Sequence, residues 1–395
     1  MTAAHHDETD AHSFPDIRAG VRQVCAGFPG DYWRDLDRER AYPQAFVAAL
    51  TEAGYLAALI PEAYGGSGLP IAAAAAILEE VHASGGNAAA CHAQMYTMGT
   101  LLRHGSEAQK QRWLPEIAAG RLRLQAFGVS EPGSGTDTLS LTTSARRDGD
   151  AYVVSGQKVW TSRAEHTDLM LLLARTTAKD QVQEKGGGLS VFLVDVGEAT
   201  AGPSPPMTIR PIRTMLNHST TEVFIDGLRV PAENLIGTEG KGFRYILDGM
   251  NAERLLIAAE CIGDARWFIG KAREYACARR VFDRPIGQNQ GVQFPIARAY
   301  AQCQAADLMV QRAAALFDAG QPCGPEANMA KLLASEASWA AAEMCLQTHG
   351  GYGFAEEYDI ERKFRETRLY QVAPISTNLI LAYLAEHVLG LPRSY

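Results

Sequence analysis

Residues 151–175 read AYVVSGQKVWTSRAEHTDLMLLLAR, and this stretch decides the fold. Its first half, AYVVSGQKVW, mixes β-branched and aromatic residues with polar ones at strand-like spacing. Its second half, TDLMLLLART, is a short unbroken apolar run bounded by turn residues, the pattern of a buried strand. Working outward, LRLQAFGVS and LSLTTSARRDG precede the pair, and LSVFLVDV, MTIRPIRT and TEVFIDGLRVP follow it. DGD and FIDG supply tight turns, and TTAKDQVQEKGGG reads as a solvated loop. Residues 123–233 are therefore expected to form an antiparallel β-domain.

On both sides the texture turns helical. AYPQAFVAALTEAGYLAAL, IAAAAAILEEVHASGG and EAQKQRWLPEIAAGR fill an alanine-rich zone over 14–122, broken by the loop PEAYGGSGLP. From 234 onward, periodic segments over 241–278, 292–319, 325–349 and 374–390 predict a helical bundle. The expected class is α+β: an N-terminal helical domain (14–122), a middle antiparallel β-domain (123–233) and a C-terminal four-helix-bundle domain (234–395). Residues 1–13 are polar and acidic without an apolar signal core, and are expected to be a loose tail.

Composition excludes several classes. The 395 residues carry a net charge of −8, with 37 basic side chains spread along the chain, so no nucleic-acid footprint emerges. Runs such as LMLLLA are too short to cross a bilayer. Seven cysteines show no CxxC and no metal-like pairing with histidine; several fall on apolar helix faces, as reduced thiols in a cytoplasmic protein do.

Five stretches carry chemistry. GVSEPGSGTD (128–137) is a tight loop with open backbone N–H groups and the hydroxyls of Ser130, Ser134 and Thr136; it suits an anionic or polar cofactor edge, or simply joins strands. In GQKVWTSRAEHTD (156–168), Trp160 beside Thr161 and Ser162 could stack on a planar ring or fill a core. ARRVFDRPIGQNQGVQF (278–294) gathers arginines and amides, fit for a diphosphate or for a solvated helix end. QTHGGYGF (347–354) allows close backbone approach to a ligand. In GMNAERLLIAAE (249–260), Glu253 lies on the apolar stripe of Phe243, Ile246, Met250, Ile257 and Cys261, where a leucine is expected.

In order and spacing, PEAYGGSGL, HGSEAQKQRWLPEIAAGRLR, EPGSGTD, GQKVW, LRVPAENLIG and QTHGGYGF resemble landmarks of the acyl-CoA dehydrogenase family of FAD flavoproteins, over nearly the whole chain. The resemblance implies that FAD is held by Val129, Ser130, Trp160 and Ser162 at the ring. It further implies contacts from a neighbouring subunit's Arg279, Phe282, Gln290, Gln347, Gly350 and Gly351, with Ser376 and Asn378 after the catalytic loop. Val281 stands where many members have a hydroxyl. An acyl-CoA thioester is implied as substrate, with Thr136 and Asn251 toward its pantetheine end and Arg254 also among the substrate-binding residues, orienting the helix start. Gln94, Met95, Tyr96 or Met98 would form the acyl pocket floor. A homotetramer, at least a dimer, and an electron-transfer flavoprotein as electron acceptor complete the implied picture.

The implied reaction is α,β-dehydrogenation to the trans-2-enoyl-CoA, a base taking the α-proton while the β-hydride passes to flavin N5. Most members carry the base as a glutamate in the C-terminal segment, where this chain has Pro374. Proline cannot serve as base and has no N–H to offer the thioester carbonyl. The isovaleryl-CoA and long-chain branch instead places the glutamate before an arginine on another helix, the position of Glu253 before Arg254, which makes Glu253 the expected base. The alternatives are an acyl-CoA oxidase using O2, and a flavoprotein that binds acyl-CoA for elimination chemistry or binding only.

Overall fold

The computed structural model describes residues 14–184 and 186–393; the tail expected over 1–13 lies outside them. The chain opens with α1 (Pro15–Ala26), α2 (Gly30–Glu39), α3 (Gln44–Glu52), α4 (Ile71–Ala83), α5 (Ala89–His104) and α6 (Glu107–Ala118). Ser106 starts α6 through a reciprocal cap with Gln109. The alanines of α4 let the long helix α8 (Gly242–Ala278) approach so closely that a Cβ on Gly263 would lie 2.3 Å from the Glu79 carbonyl oxygen.

The middle of the chain forms β1 (Leu124–Gly128), β2 (Ser144–Asp148), β3 (Ala151–Ser162), β4 (Leu169–Arg175), β5 (Leu189–Asp195), the short α7 (Val196–Ala199), β6 (Met207–Pro211), β7 (Thr220–Pro231) and β8 (Leu235–Ile236). They make one sheet in the order β6-β7-β3-β2-β4-β5-β8, with β1 beside β4. Its long pairings are antiparallel, as expected, but β1 runs parallel to β4, and β2 touches β4 through one parallel pair, Ser144↔Arg175. The chain leaves β1 through a loop and the β2–β3 hairpin before entering β4, so it returns in the same direction. Gly156 is required in β3, because a Cβ there would sit 2.3 Å from the Thr143 hydroxyl.

The remainder comprises α8 (Gly242–Ala278), the ribbon β9 (Arg280–Val281) and β10 (Arg284–Pro285), α9 (Gln290–Asp318), α10 (Gly324–His349), α11 (Ile360–Arg368) and α12 (Thr377–Tyr383). The two helical zones share one core, in which Leu78 and Val81 of α4 join Leu256 and Ile262 of α8 and Ala341 of α10. Helix α11, IERKFRETR, was not expected from apolar periodicity, because its inward face is charged. Arg362 pairs with Glu366 at 2.9 Å and Lys363 with Asp264 of α8 at 2.5 Å, all buried. Burial alone would raise the Asp264 carboxyl, but Lys363 and His82 hold it at about 2. The expected last helix, 374–390, is present as α12 followed by a wider π-turn over Leu384–Val388. Six cysteines are buried and Cys277 is exposed; none is bridged. No described helix is long and apolar enough to cross a membrane.

Candidate functional site

Three separate places collect the residues singled out by sequence. The first is where the loop after β1 meets β3. Lys158, inside β3, is fully buried and donates to the Val129 carbonyl (3.1 Å) and the Glu131 carboxylate (2.8 Å). Glu131 also accepts from the Thr142 N–H (2.6 Å), the Thr142 hydroxyl (2.8 Å) and the Thr143 N–H (2.9 Å). Burial would raise the Glu131 carboxyl, yet Lys158 and these donors hold it at about 2. Burial pushes the Lys158 ammonium down to about 8 against the pull of Glu131. The loop is thus a fixed object. Ser134 is buried and donates to the Asp137 carbonyl at 2.7 Å, so it holds the turn instead of presenting a hydroxyl, while Thr136 is exposed.

Opposite that loop, the Val159 N–H donates to the Ser130 carbonyl at 2.9 Å, and a bulge follows between Val159 and Thr161. At the bulge Trp160 takes a left-handed backbone conformation (φ 61°) and its indole stands 61% exposed. A large apolar ring held out on a rigid strand, with half-buried Val129, Ser130 and Ser162 next to it, is a ready stacking platform.

The second place is around Glu253. This carboxylate lies on α8, is 5% exposed, and makes no hydrogen bond or ion pair with any described residue. Burial raises its pKa above the ordinary carboxylate value; His92, Arg254 and Lys331 pull in the opposite direction without offsetting it. Arg254 does not pair with it: the guanidinium donates to Asn251 Oδ1 at 3.1 Å, one turn back on the same helix. Tyr96 of α5 faces Glu253, its hydroxyl pushed up by burial first and by the Glu253 charge second. Met95 packs instead in the helical core and Met98 in the core beneath the sheet, and Gln94 is buried with neither end of its amide bonded.

Lys331 of α10 lies near Glu253. Its buried ammonium donates to the carbonyls of Tyr370 and Ile375 (2.7 Å to the latter), and burial lowers its pKa to about 8. It therefore pins both ends of the turn that carries Pro374, which is exposed. Just after the turn, the Ser376 hydroxyl caps α12 by accepting from the Leu379 N–H, and Asn378 is exposed.

The third place is a cleft of about 610 Å³ at the far end of α8, lined by Arg279, Val281, Gln347, Gly350 and Gly351 with Tyr275 and Tyr352. Arg280 and Arg284 are occupied by the local turn, bonding the Asp283 carbonyl and Asn289. Arg279 lies over the Tyr352 ring and makes no ion pair with a described residue. Phe282 projects from the β9–β10 turn with 93% of its surface exposed, and Gln290 opens α9 nearby. Arg279 lies 26 positions beyond Glu253, about 39 Å along the helix, so the cleft and Glu253 of one chain lie far apart.

The positions missed by sequence reading are Glu131, Lys158 and Lys331, with His92, Arg163 and Glu260 around Glu253. The signal that exposed Glu253, a charge on an apolar face, was also present for Lys331 and, more weakly, for Lys158.

The donor set suits a flavin dinucleotide: an exposed indole with hydroxyls beside it for a planar ring, and an unpaired arginine with amides and glycines for a diphosphate. Among described residues, no group of histidine, cysteine and carboxylate side chains could hold a metal ion.

Comparison with known proteins agrees along the whole chain. Family models described as acyl-CoA dehydrogenase N-terminal, middle and C-terminal domains match residues 14–121, 126–228 and 240–389. The acyl-CoA dehydrogenase FadE12 of Mycobacterium tuberculosis (strain H37Rv) is 34% identical, with 96% of each chain covered. The mitochondrial short-chain specific acyl-CoA dehydrogenase of Mus musculus is 32% identical, covering 99% of this chain and 93% of its own. A solved glutaryl-coenzyme A dehydrogenase–glutaryl-CoA complex superposes with a TM-score of 0.89 at 28% identity, covering 98% of both chains.

Proposed function

Since the chain belongs to the acyl-CoA dehydrogenase family, FAD-dependent oxidoreductases acting on CH–CH bonds, we propose that it desaturates an acyl-CoA thioester between Cα and Cβ with Glu253 as the base. The observation that carries this reading is the isolation of Glu253: a buried carboxylate, without a hydrogen bond to any described residue, whose proton affinity is raised by burial. An α-proton is weakly acidic, and a desolvated, unpaired carboxylate is the side chain best matched to remove it. A structural Glu–Arg pair would place Arg254 on Glu253; Arg254 turns to Asn251 instead. The placement follows the isovaleryl-CoA and long-chain branch.

FAD, when bound, supplies the two-electron acceptor for the β-hydride. Val129, Ser130, Trp160 and Ser162 would hold its ring. Arg279, Phe282, Gln290, Gln347, Gly350 and Gly351 of a second subunit would meet its far end, with Ser376 and Asn378 beyond the Pro374 turn. The distance between the cleft and Glu253 supports a site shared between subunits, hence at least a dimer, and in this reading a homotetramer. The exposed Phe282, which a partner would cover, supports it too. Thr136 and Asn251 lie toward the pantetheine and Arg254 orients the helix start, while the α5 face carrying Tyr96 meets the acyl chain. Electrons leave to an electron-transfer flavoprotein. Residues 14–122, 123–233 and 234–395 act as the three domains.

Anaerobic mixing of the yellow protein with a panel of straight and branched saturated acyl-CoAs tests the reaction class. Bleaching of the flavin absorbance by at least one of them is expected, and none at all would refute it. In air, stoichiometric peroxide would move the assignment to an oxidase.

A further inference from the structure

Seven positions beyond Glu253, and so on the same face of α8, a second carboxylate is buried: Glu260 is 1% exposed. His92 and Tyr96, four apart on α5, form the face opposite, their rings 5.0 Å apart. The His92 charge favours the ionised form of both Glu253 and Glu260, more than the charge of any other neighbour does. The His92 Nδ1 lies 3.3 Å from Glu260 Oε1 as an ion pair, yet no hydrogen bond joins them, and both atoms are buried with no hydrogen-bond partner among described residues. Arg163 is buried nearby, with no carboxylate pairing it among described residues; its guanidinium lies 3.3 Å from the ring nitrogens of His218. Catalysis by Glu253 uses none of these groups.

Buried polar atoms without partners are rare in folded proteins and call for an occupant. A plain alkyl chain reaching them would leave the open histidine nitrogen and carboxylate oxygen unbonded. A hydroxyl satisfies both at once, donating to Glu260 Oε1 and accepting from a protonated Nδ1 of His92. A second carboxylate would face two buried carboxylates, and an ammonium would face Arg163 and His92, so the complementary group is neutral. Seven residues of helix separate the base from this end, about 10 Å, which sets the hydroxyl several carbons from the thioester.

We propose that His92 and Glu260 close the acyl pocket as specificity-determining residues and select an acyl-CoA whose chain bears a hydroxyl group remote from the thioester. This rests on the reading of Glu253 as α-proton base. A site built to hydrogen-bond a substrate hydroxyl rejects the analogue lacking it by a factor of ten at least, and by far more when the groups stay dry.

The test compares short and medium straight-chain acyl-CoAs with and without a terminal hydroxyl. Its readouts are anaerobic flavin bleaching and calorimetric titration of the corresponding enoyl-CoA products, whose binding needs no turnover. The hydroxylated member of at least one pair is expected to win by about tenfold or more in both readouts. In His92→Phe/Glu260→Leu, that advantage should fall to within about twofold. Equal or better handling of the plain chains by the unaltered protein overturns the proposal, even if the variant fails to fold. Tight, hydroxyl-selective binding without bleaching would leave it standing while refuting the dehydrogenase reading. Absence of any acyl-CoA binding would refute both.

Discussion

Replacing Lys158 by methionine removes one half of the buried pair that fixes the loop after β1. Glu131 is held at about 2 rather than 4.5, worth about 3 kcal/mol to its ionised form, and Lys158 is displaced by a similar amount in the unfavourable direction, from 10.5 to about 8. As a unit the pair contributes little net stability. Breaking it is another matter. Glu131 is left charged and buried with only the two Thr142 groups and the Thr143 N–H, and stranding one partner of such a pair costs about 3–5 kcal/mol. Because those three donors remain, the lower end, about 3 kcal/mol, applies to Lys158→Met. In a chain of this length that is a fall in melting temperature on the order of 5 °C. The Val129 carbonyl also loses its donor, so FAD retention after gel filtration should fall with stability. The depressed Glu131 pKa makes its contribution present above pH 4.5 and lost as pH falls towards about 2; the variant should therefore lose much of that acid-dependent part. Scanning calorimetry at neutral and acidic pH checks this. A variant that melts within a degree of the parent and keeps its full flavin would refute the reasoning.

Three further outcomes follow from other sites. Lys331→Met removes a cation near Glu253 and frees the turn bearing Pro374, so the pH profile of flavin bleaching should move to higher pH; Lys331→Arg should move it back. Glu253→Gln should be the more stable protein at neutral pH by about 1–3 kcal/mol. A carboxyl whose folded pKa is raised favours folding below its unfolded value and loses that advantage as pH rises through the folded one, so the gain should vanish below pH 4.5, as read by thermal melts. Arg279→Gln should lower the FAD-to-protein ratio and, if the cleft serves a neighbour, weaken assembly, as light scattering would report.

The three-part order of the fold was readable because apolar spacing changes period at 123 and again near 234, and the strands of 151–175 lie where their pattern put them. Helix α11 was not readable: charges rather than leucines bury its face, and Asp264, His82 and the Gly85 and Gly86 carbonyls, all far away in sequence, help to satisfy them. Glu253 was legible because it breaks a strong stripe. Lys158 breaks a weaker alternation, and its partner Glu131 sits in a loop with no period to violate. Arg279, Gln347, Gly350 and Gly351 line one cleft because they flank two helix ends, with Phe282 and Gln290 outside its lining. Met95 and Met98 did not join Tyr96, because residues one and two apart on a helix point to different neighbours.

Single-turnover bleaching with the best acyl-CoA, comparing the parent with Glu253→Gln at matched flavin content, bears most directly on the role of Glu253. The rate is expected to fall by about 10²–10⁴-fold with substrate binding retained, and the parent rate to rise with pH through the raised carboxyl pKa. Equal rates in the two proteins would contradict the assignment.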